Sequence, residues 1–283
     1  MTQQIQKKKD PTIESLVRNL VSKRIEIGAI DLPDNYSYEN AISTAYMVIG
    51  ETKGSKAQNK PATEICTKES IVMSMYRMVT EGLNPFKNQC AFIVRGNKLT
   101  YQREYQGSIA LAKRFSGVKR VDAQVVYSED EVDYQIENGI LKVASHKRGS
   151  KRSFDDIVGA YCVITEADGT LVAEEMTMDQ IKKAWEQGDM NGASPAHKNF
   201  KDQMCLKTVI NRACKPYINQ SDDSAIMGGE SAENGIENSP EEIETMQINV
   251  EAVSVEEEES VDIKTPEPVD VKEENTSSSK RGF

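Results

Sequence analysis

The chain has 283 residues, of which 38% are hydrophobic, enough for one large domain or two small ones but low for a chain packed along its whole length. Its net charge of −10 is unevenly divided: residues 221–283 hold 18 acidic and four basic side chains, a net of −14, leaving 31 basic and 27 acidic in the first 220, a net of +4. No run reaches membrane-spanning length, no apolar stretch follows Met1–Asp10, and the five scattered cysteines form no C-x-x-C pair, so a soluble, cytosolic protein with reduced, buried thiols is expected.

Pro11 and Thr12 open an amphipathic helix whose Ile13, Leu16, Val17, Leu20, Val21 and Ile25 share one face, and Gly28 ends it. A second helix begins near Ser37 and buries Ala41, Ile42, Ala45, Tyr46 and Ile49. The segment Gly50 to Lys56 has neither the glycine spacing nor the lysine order of a phosphate-binding loop and reads as a flexible basic connection. Thr67 caps a third helix carrying Ile71, Met75, Met78 and Val79, and Gly82 stops it. From Cys90 to Arg103 the period changes to two around Arg95-Gly96-Asn97-Lys98, a β-hairpin with a basic tip that projects from the sheet. A short helix follows from about Glu104 to Phe115.

Strands resume from Val118 to Tyr127. A hairpin through Asn138-Gly139 joins 132–136 to 140–143, and another around Asp168-Gly169 joins 157–165 to 171–174. The expected middle of the chain is therefore one antiparallel sheet with helices before and after it. Thr177 to Gln180 is a capping box that opens a helix containing Trp185, and Ser194-Pro195 is expected to start a long helix ending at Pro216. Beyond Ser221 the acidic, Ser- and Pro-containing composition cannot bury enough apolar surface to offset ordering entropy and reads as a disordered tail. The expected divisions are 1–35, an N-terminal helix that is mobile or contacts other protomers; 36–220, the core; and 221–283, the tail.

Three groups of residues carry chemistry. On the last helix Lys201, Thr208, Arg212 and Lys215 fall within roughly 60° of one another, opposite an apolar sector, and such a row of like charge calls for an anionic partner. Lys142, His146, Lys147, Arg148, Lys151 and Arg152 form a basic loop suited to phosphates. Tyr101, Tyr105 and Phe115 lie among Lys98, Arg103, Lys113 and Arg114, the mixture of aromatic and basic surface that single-strand binders use. With two histidines there is no H-E-x-x-H helix and no metal-ligand spacing, and no Gly-x-Ser-x-Gly elbow occurs; the pairs Asp155-Asp156 and Glu174-Glu175 leave a magnesium-dependent nuclease open as an alternative.

Three motifs in fixed order complete the reading: Gly82-Leu83-Asn84-Pro85; Tyr105-Gln106-Gly107 followed by an apolar helix and Lys113-Arg114; and Met204, Lys207, Thr208 and Arg212 in a Met-x-x-Lys-Thr-x-x-x-Arg pattern. In these, over roughly 81–216, the chain resembles the RecT family of phage single-strand annealing proteins. It departs at Gln106, where the family pattern has Arg, and has only Phe200 where that pattern is aromatic-rich. The resemblance implies an α+β fold in which an antiparallel sheet of three or more strands packs against a long helix. It also implies a recombinase without catalytic turnover, needing neither ATP nor cofactor, that binds single strands as a ring or helical filament and anneals complements in the bacterial cytoplasm. The implied partners are single-stranded DNA and the nascent duplex, a 5′-to-3′ exonuclease, and the host single-strand-binding protein, the last two through the acidic tail. Stripe, loop, hairpin and motifs together give a strand-binding set of Lys98, Arg103, Tyr105, Gln106, Lys113, Arg114, Lys147, Arg148, Lys151, Arg152, Lys201, Lys207, Thr208, Arg212 and Lys215. A protein that coats single strands without annealing them is the other open alternative.

Overall fold

The computed structural model describes residues 11–54, 59–188 and 190–219; the acidic tail and the N-terminal lysine cluster lie outside the described residues. Four helices come first: α1 (Ile13–Glu26), α2 (Tyr38–Glu51), the single-turn α3 (Ala62–Ile65) and α4 (Lys68–Thr80). Thr12, Ser37 and Thr67 cap α1, α2 and α4, each accepting a hydrogen bond from the backbone N–H three residues on. Leu16, Val17, Leu20 and Val21 of α1 pack into one continuous core with Ala41, Ile42, Ala45 and Ile49 of α2 and the Ile71–Val79 face of α4. Each fully buried aliphatic side chain here contributes roughly 1.5–3 kcal/mol before entropy is counted.

β1 (Cys90–Arg95) and β2 (Lys98–Arg103) form the hairpin, and α5 (Tyr105–Ser116) follows. The tip is exposed in its side chains, but its backbone is tied to α4: Thr67 N–H donates to the Asn97 carbonyl, and Ser70 and Ser74 bond the Leu99 N–H and carbonyl. Next come β3 (Arg120–Tyr127), β4 (Glu131–Glu137), β5 (Ile140–Lys147), β6 (Ile157–Thr165) and β7 (Leu171–Thr177).

The middle of the chain is not one sheet. Among the described residues the strands divide into the β1–β2 hairpin, a three-stranded antiparallel sheet in the order β3–β6–β7, and a separate β4–β5 hairpin. Helix α5 separates the first from the second. A bulge at Val126/Tyr127 and the Ser128–Asp130 turn lead β4 and β5 out of the main sheet.

Helices α6 (Met178–Glu186), α7 (Pro195–Asn199) and α8 (Lys201–Asn219) close the described fold, and α6 opens with the expected capping box. The long helix expected from Ser194 is broken at Phe200, whose φ of −138° and ψ of 49° leave the helical region. His197 of α7 packs edge-on against Trp185 of α6 with ring centroids 4.6 Å apart, while α8 lies on the sheet; one straight helix could not meet both demands. Nor does α8 end at Pro216, which lies inside it. The proline leaves the Arg212 carbonyl without its helical donor, a loss that water can make good because both residues are exposed. The architecture is thus α+β, with α8 burying Cys205, Val209, Ile210, Ala213, Cys214 and Ile218 against the antiparallel sheet and α5.

Candidate nucleic-acid interface

The two N-terminal motifs build one joint. At the end of α4 the Glu81 carboxylate, 1% exposed, receives the Arg103 guanidinium through two bonds of 3.0 and 3.3 Å and the Tyr101 hydroxyl at 2.7 Å. Burial, reinforced by the Glu81 charge, pushes the Tyr101 hydroxyl well above its ordinary pKa and keeps it a donor. Arg114 donates to the Glu81 and Gly82 carbonyls at 2.7 and 3.1 Å, satisfying the end of α4. Gly82 has φ +60°, and a Cβ there would stand 2.7 Å from the Arg114 guanidinium. At Gly107 a Cβ would meet the Gln89 carbonyl at 2.2 Å, so α5 starts where only glycine fits. Tyr36 donates to the Leu83 carbonyl, and Lys207 of α8 pairs with Glu104 just before α5 at 2.5 Å. Gly82, Gly107, Arg103 and Arg114 therefore lock α4, the hairpin and α5 together.

Partners and exposure sort the remaining cations. Arg103, its side chain 9% exposed, is buried with Glu81, and breaking such a pair costs about 3–5 kcal/mol. Arg152 is similarly held, 2.9 Å from the fully covered Asp130 carboxylate and with its guanidinium over the Tyr127 ring at 4.5 Å. Thr208 is occupied, donating to the Met204 carbonyl and accepting from the Trp185 indole. Lys201 donates to the Phe154 carbonyl. By contrast Arg212–Glu174, Lys147–Glu131 and Lys151–Glu129 are open to solvent, where water and salt screen the attraction and the ammonium or guanidinium can exchange partners. Lys207–Glu104 is intermediate. Lys98, Lys113 and Arg148 are exposed on three separate elements and make no side-chain hydrogen bond or ion pair with the described residues. Lys215 is exposed near the end of α8, Gln106 is exposed at the start of α5, and Tyr105 beside it is half-buried.

The basic loop is not a flexible tether, because two carboxylates at the β3–β4 turn grip it. Glu129 accepts from the Ser150 hydroxyl and N–H and from the Lys151 N–H, and pairs with the Lys151 ammonium at 3.0 Å. Asp130 accepts from the Tyr127 and Gly149 backbone N–H groups, Arg152 and His146. The Ser150 hydroxyl, then Lys151, hold the Glu129 carboxyl at about 2 against an ordinary 4.5. Burial raises the Asp130 pKa, but its four donors outweigh that and keep it well below the usual range. Both folded values are depressed, so the grip is complete above the unfolded carboxylate range and is lost as pH falls through the folded values. Between about pH 4.5 and 2 the Ser150 and Lys151 amides, which Glu129 holds, are expected to lose hydrogen-exchange protection before Gly149, held by Asp130, and before the sheet; protection lost together with that of β6 would show that the carboxylates do not act locally.

Beside this loop lies a shallow concavity of about 170 Å³, lined by Gln124, Tyr127, His146, Arg148, Arg152 and Asp202. It brings Arg148 and Arg152 together. The sequence reading singled out neither Gln124 nor Tyr127, since both sit on a strand whose alternation reports burial and nothing more. It also passed over Phe86 and Lys87, exposed on the turn before β1, where the signal available was an aromatic among turn residues. All five cysteines are free and buried, and burial pushes the Cys162 and Cys214 thiols up to about 12. Among the described residues no three His, Cys, Asp or Glu side chains gather as a metal site, and no helix is long and apolar enough to cross a membrane.

The described chain is thus an antiparallel α+β core that carries basic side chains on α5, α8, the hairpin and an anchored loop. The RecT family model matches residues 40–262, and the chain belongs to that family, which implies phage-type single-strand annealing in DNA recombination. No curated protein matches it. The family match continues past the last described residue into the acidic tail.

Proposed function

We propose that the chain binds single-stranded DNA and anneals complementary strands without ATP, as a side-by-side oligomer in the bacterial cytoplasm. The observation that carries this is the family match across 40–262. Lys98, Lys113 and Arg148, with Lys147, Lys151, Lys207, Arg212 and Lys215, hold phosphates; Tyr105 and Gln106 flank the path; Arg103, Arg114, Arg152, Lys201 and Thr208 keep its shape. Contacts of this kind are salt-dependent and largely blind to sequence, so base pairing itself supplies the driving energy. Neighbouring protomers lengthen the track and raise the effective concentration of the next contact. Mixing the protein with complementary oligonucleotides in EDTA without nucleotide is expected to accelerate annealing. Coating without annealing would favour a protective protein, and cleavage that EDTA abolishes and magnesium restores would favour a nuclease.

The core is taken as 36–220 together with α1, whose Leu16, Val17, Leu20 and Val21 pack against α2 and α4 and whose outer face is left to contact other protomers, with the tail from 221 recruiting an exonuclease or a single-strand-binding protein. The tail's −14 charge repels DNA at close range, within roughly 8 Å at physiological salt. Truncation after Gln220 is expected to preserve annealing of purified oligonucleotides, with equal or higher affinity at low salt, while recombination in cells drops. A folded truncation that cannot anneal, beside one ending at Asp262 that can, would place annealing residues in the tail portion of the family match.

A further inference from the structure

We propose that Phe86 is a base-stacking residue, a nucleobase of the bound strand lying on its exposed ring with Lys87 beside the adjoining phosphate; the inference rests on the strand-binding reading above. Phe86 is 65% exposed. A single exposed aromatic is ordinarily unremarkable, but the turn that carries this one is tied at both ends. Pro85 is buried and fixes the backbone at the first position, and the Asn84 side chain accepts the Phe86 N–H at 2.9 Å. The Asn84 N–H donates to the Gln89 side chain at 3.0 Å, the Lys87 and Asn88 N–H groups bond the Asn84 and Pro85 carbonyls, and Asn88 takes a left-handed φ of +54°. The Gln89 carbonyl accepts the Glu104 N–H at 3.0 Å, which fastens the turn to the start of α5.

A loose loop would fold the ring down and gain its hydrophobic burial. Here the backbone beneath the ring is fixed, so only the ring's own two torsions remain to be ordered when a flat partner lands on it. The charge beside it fits a nucleic acid. Lys87 makes no side-chain hydrogen bond or ion pair with the described residues, Gln106 is exposed on the adjoining helix start, and the joint's two carboxylates, Glu81 and Glu104, are already neutralised by Arg103 and Lys207. An aromatic face next to a free cation, with no free carboxylate in the joint, is the local composition of a single-strand platform.

The test compares oligo(dT) with an abasic oligonucleotide of the same length. Phe86→Ala and Phe86→Leu are expected to weaken oligo(dT) binding about 5- to 150-fold, to leave abasic binding unchanged, and to keep the wild-type melting temperature. Lys87→Ala is expected to weaken both ligands. Phe86→Trp is expected to show oligo(dT)-dependent fluorescence quenching beyond that of wild type, whose only tryptophan is Trp185. Alanine and leucine variants that bind oligo(dT) like wild type, or that lose both ligands equally, overturn the inference. So does normal DNA binding with lost self-association, which would make a second protomer the occupant of the ring. Wild-type protein that binds neither oligonucleotide would instead overturn the strand-binding reading itself.

Discussion

Arg103→Ala is expected to destabilise the protein by about 3–5 kcal/mol, because it takes from the buried Glu81 carboxylate the guanidinium that neutralises it. For a domain of this size that lowers the melting temperature by roughly 10 °C. Glu81→Leu combined with Arg103→Met is expected to recover much of the loss, since replacing both charges removes the stranded one. Thermal unfolding followed by circular dichroism, beside DNA affinity measured well below the transition, separates the two roles open to Arg103. A variant that melts like wild type but no longer binds DNA would make Arg103 a phosphate ligand and the joint incidental.

Removing Lys98, Lys113 and Arg148 together is expected to leave the melting temperature unchanged and to weaken single-strand binding uniformly across sequences. Each phosphate contact on a single strand contributes about 0.7 to the slope of log affinity against log salt, so the triple alanine variant should lose about 2 from that slope. The side chains have no partner among the described residues, so their loss strands no carboxylate there. An unchanged slope would move the binding surface elsewhere, most directly to α8.

What the sequence shows about this fold is mostly local. Thr12, Ser37, Thr67 and Thr177 announce their helices because a cap is a contact between neighbours in the chain. Asn138-Gly139 announces its hairpin because both residues must take positive φ. The break at Phe200 is invisible in this way, since it answers to Trp185 packing on His197 and not to any helix-breaking residue. Charge is less legible still. The run from Lys147 to Arg152 reads as a basic loop along the chain, yet its counter-charges, Glu129 and Asp130, arrive from the preceding turn. Arg103 reads as surface along the chain, yet Glu81, 22 residues earlier, is its buried partner. Counting charges by position finds a basic region correctly but cannot say which of its members are already spoken for.

The solvent-exposed pairs Lys147–Glu131, Lys151–Glu129 and Arg212–Glu174 bear on the kinetics of the proposed binding. A cation that already faces a carboxylate projects little field beyond its own neighbourhood, so these three contribute less to steering an approaching strand over a distance than cations such as Lys98, Lys113 and Arg148. The exchanged contacts form only after arrival. Raising the ionic strength should therefore shorten the lifetime of the complex far more than it slows the encounter, and strands captured in dilute salt should be shed quickly when the salt is raised.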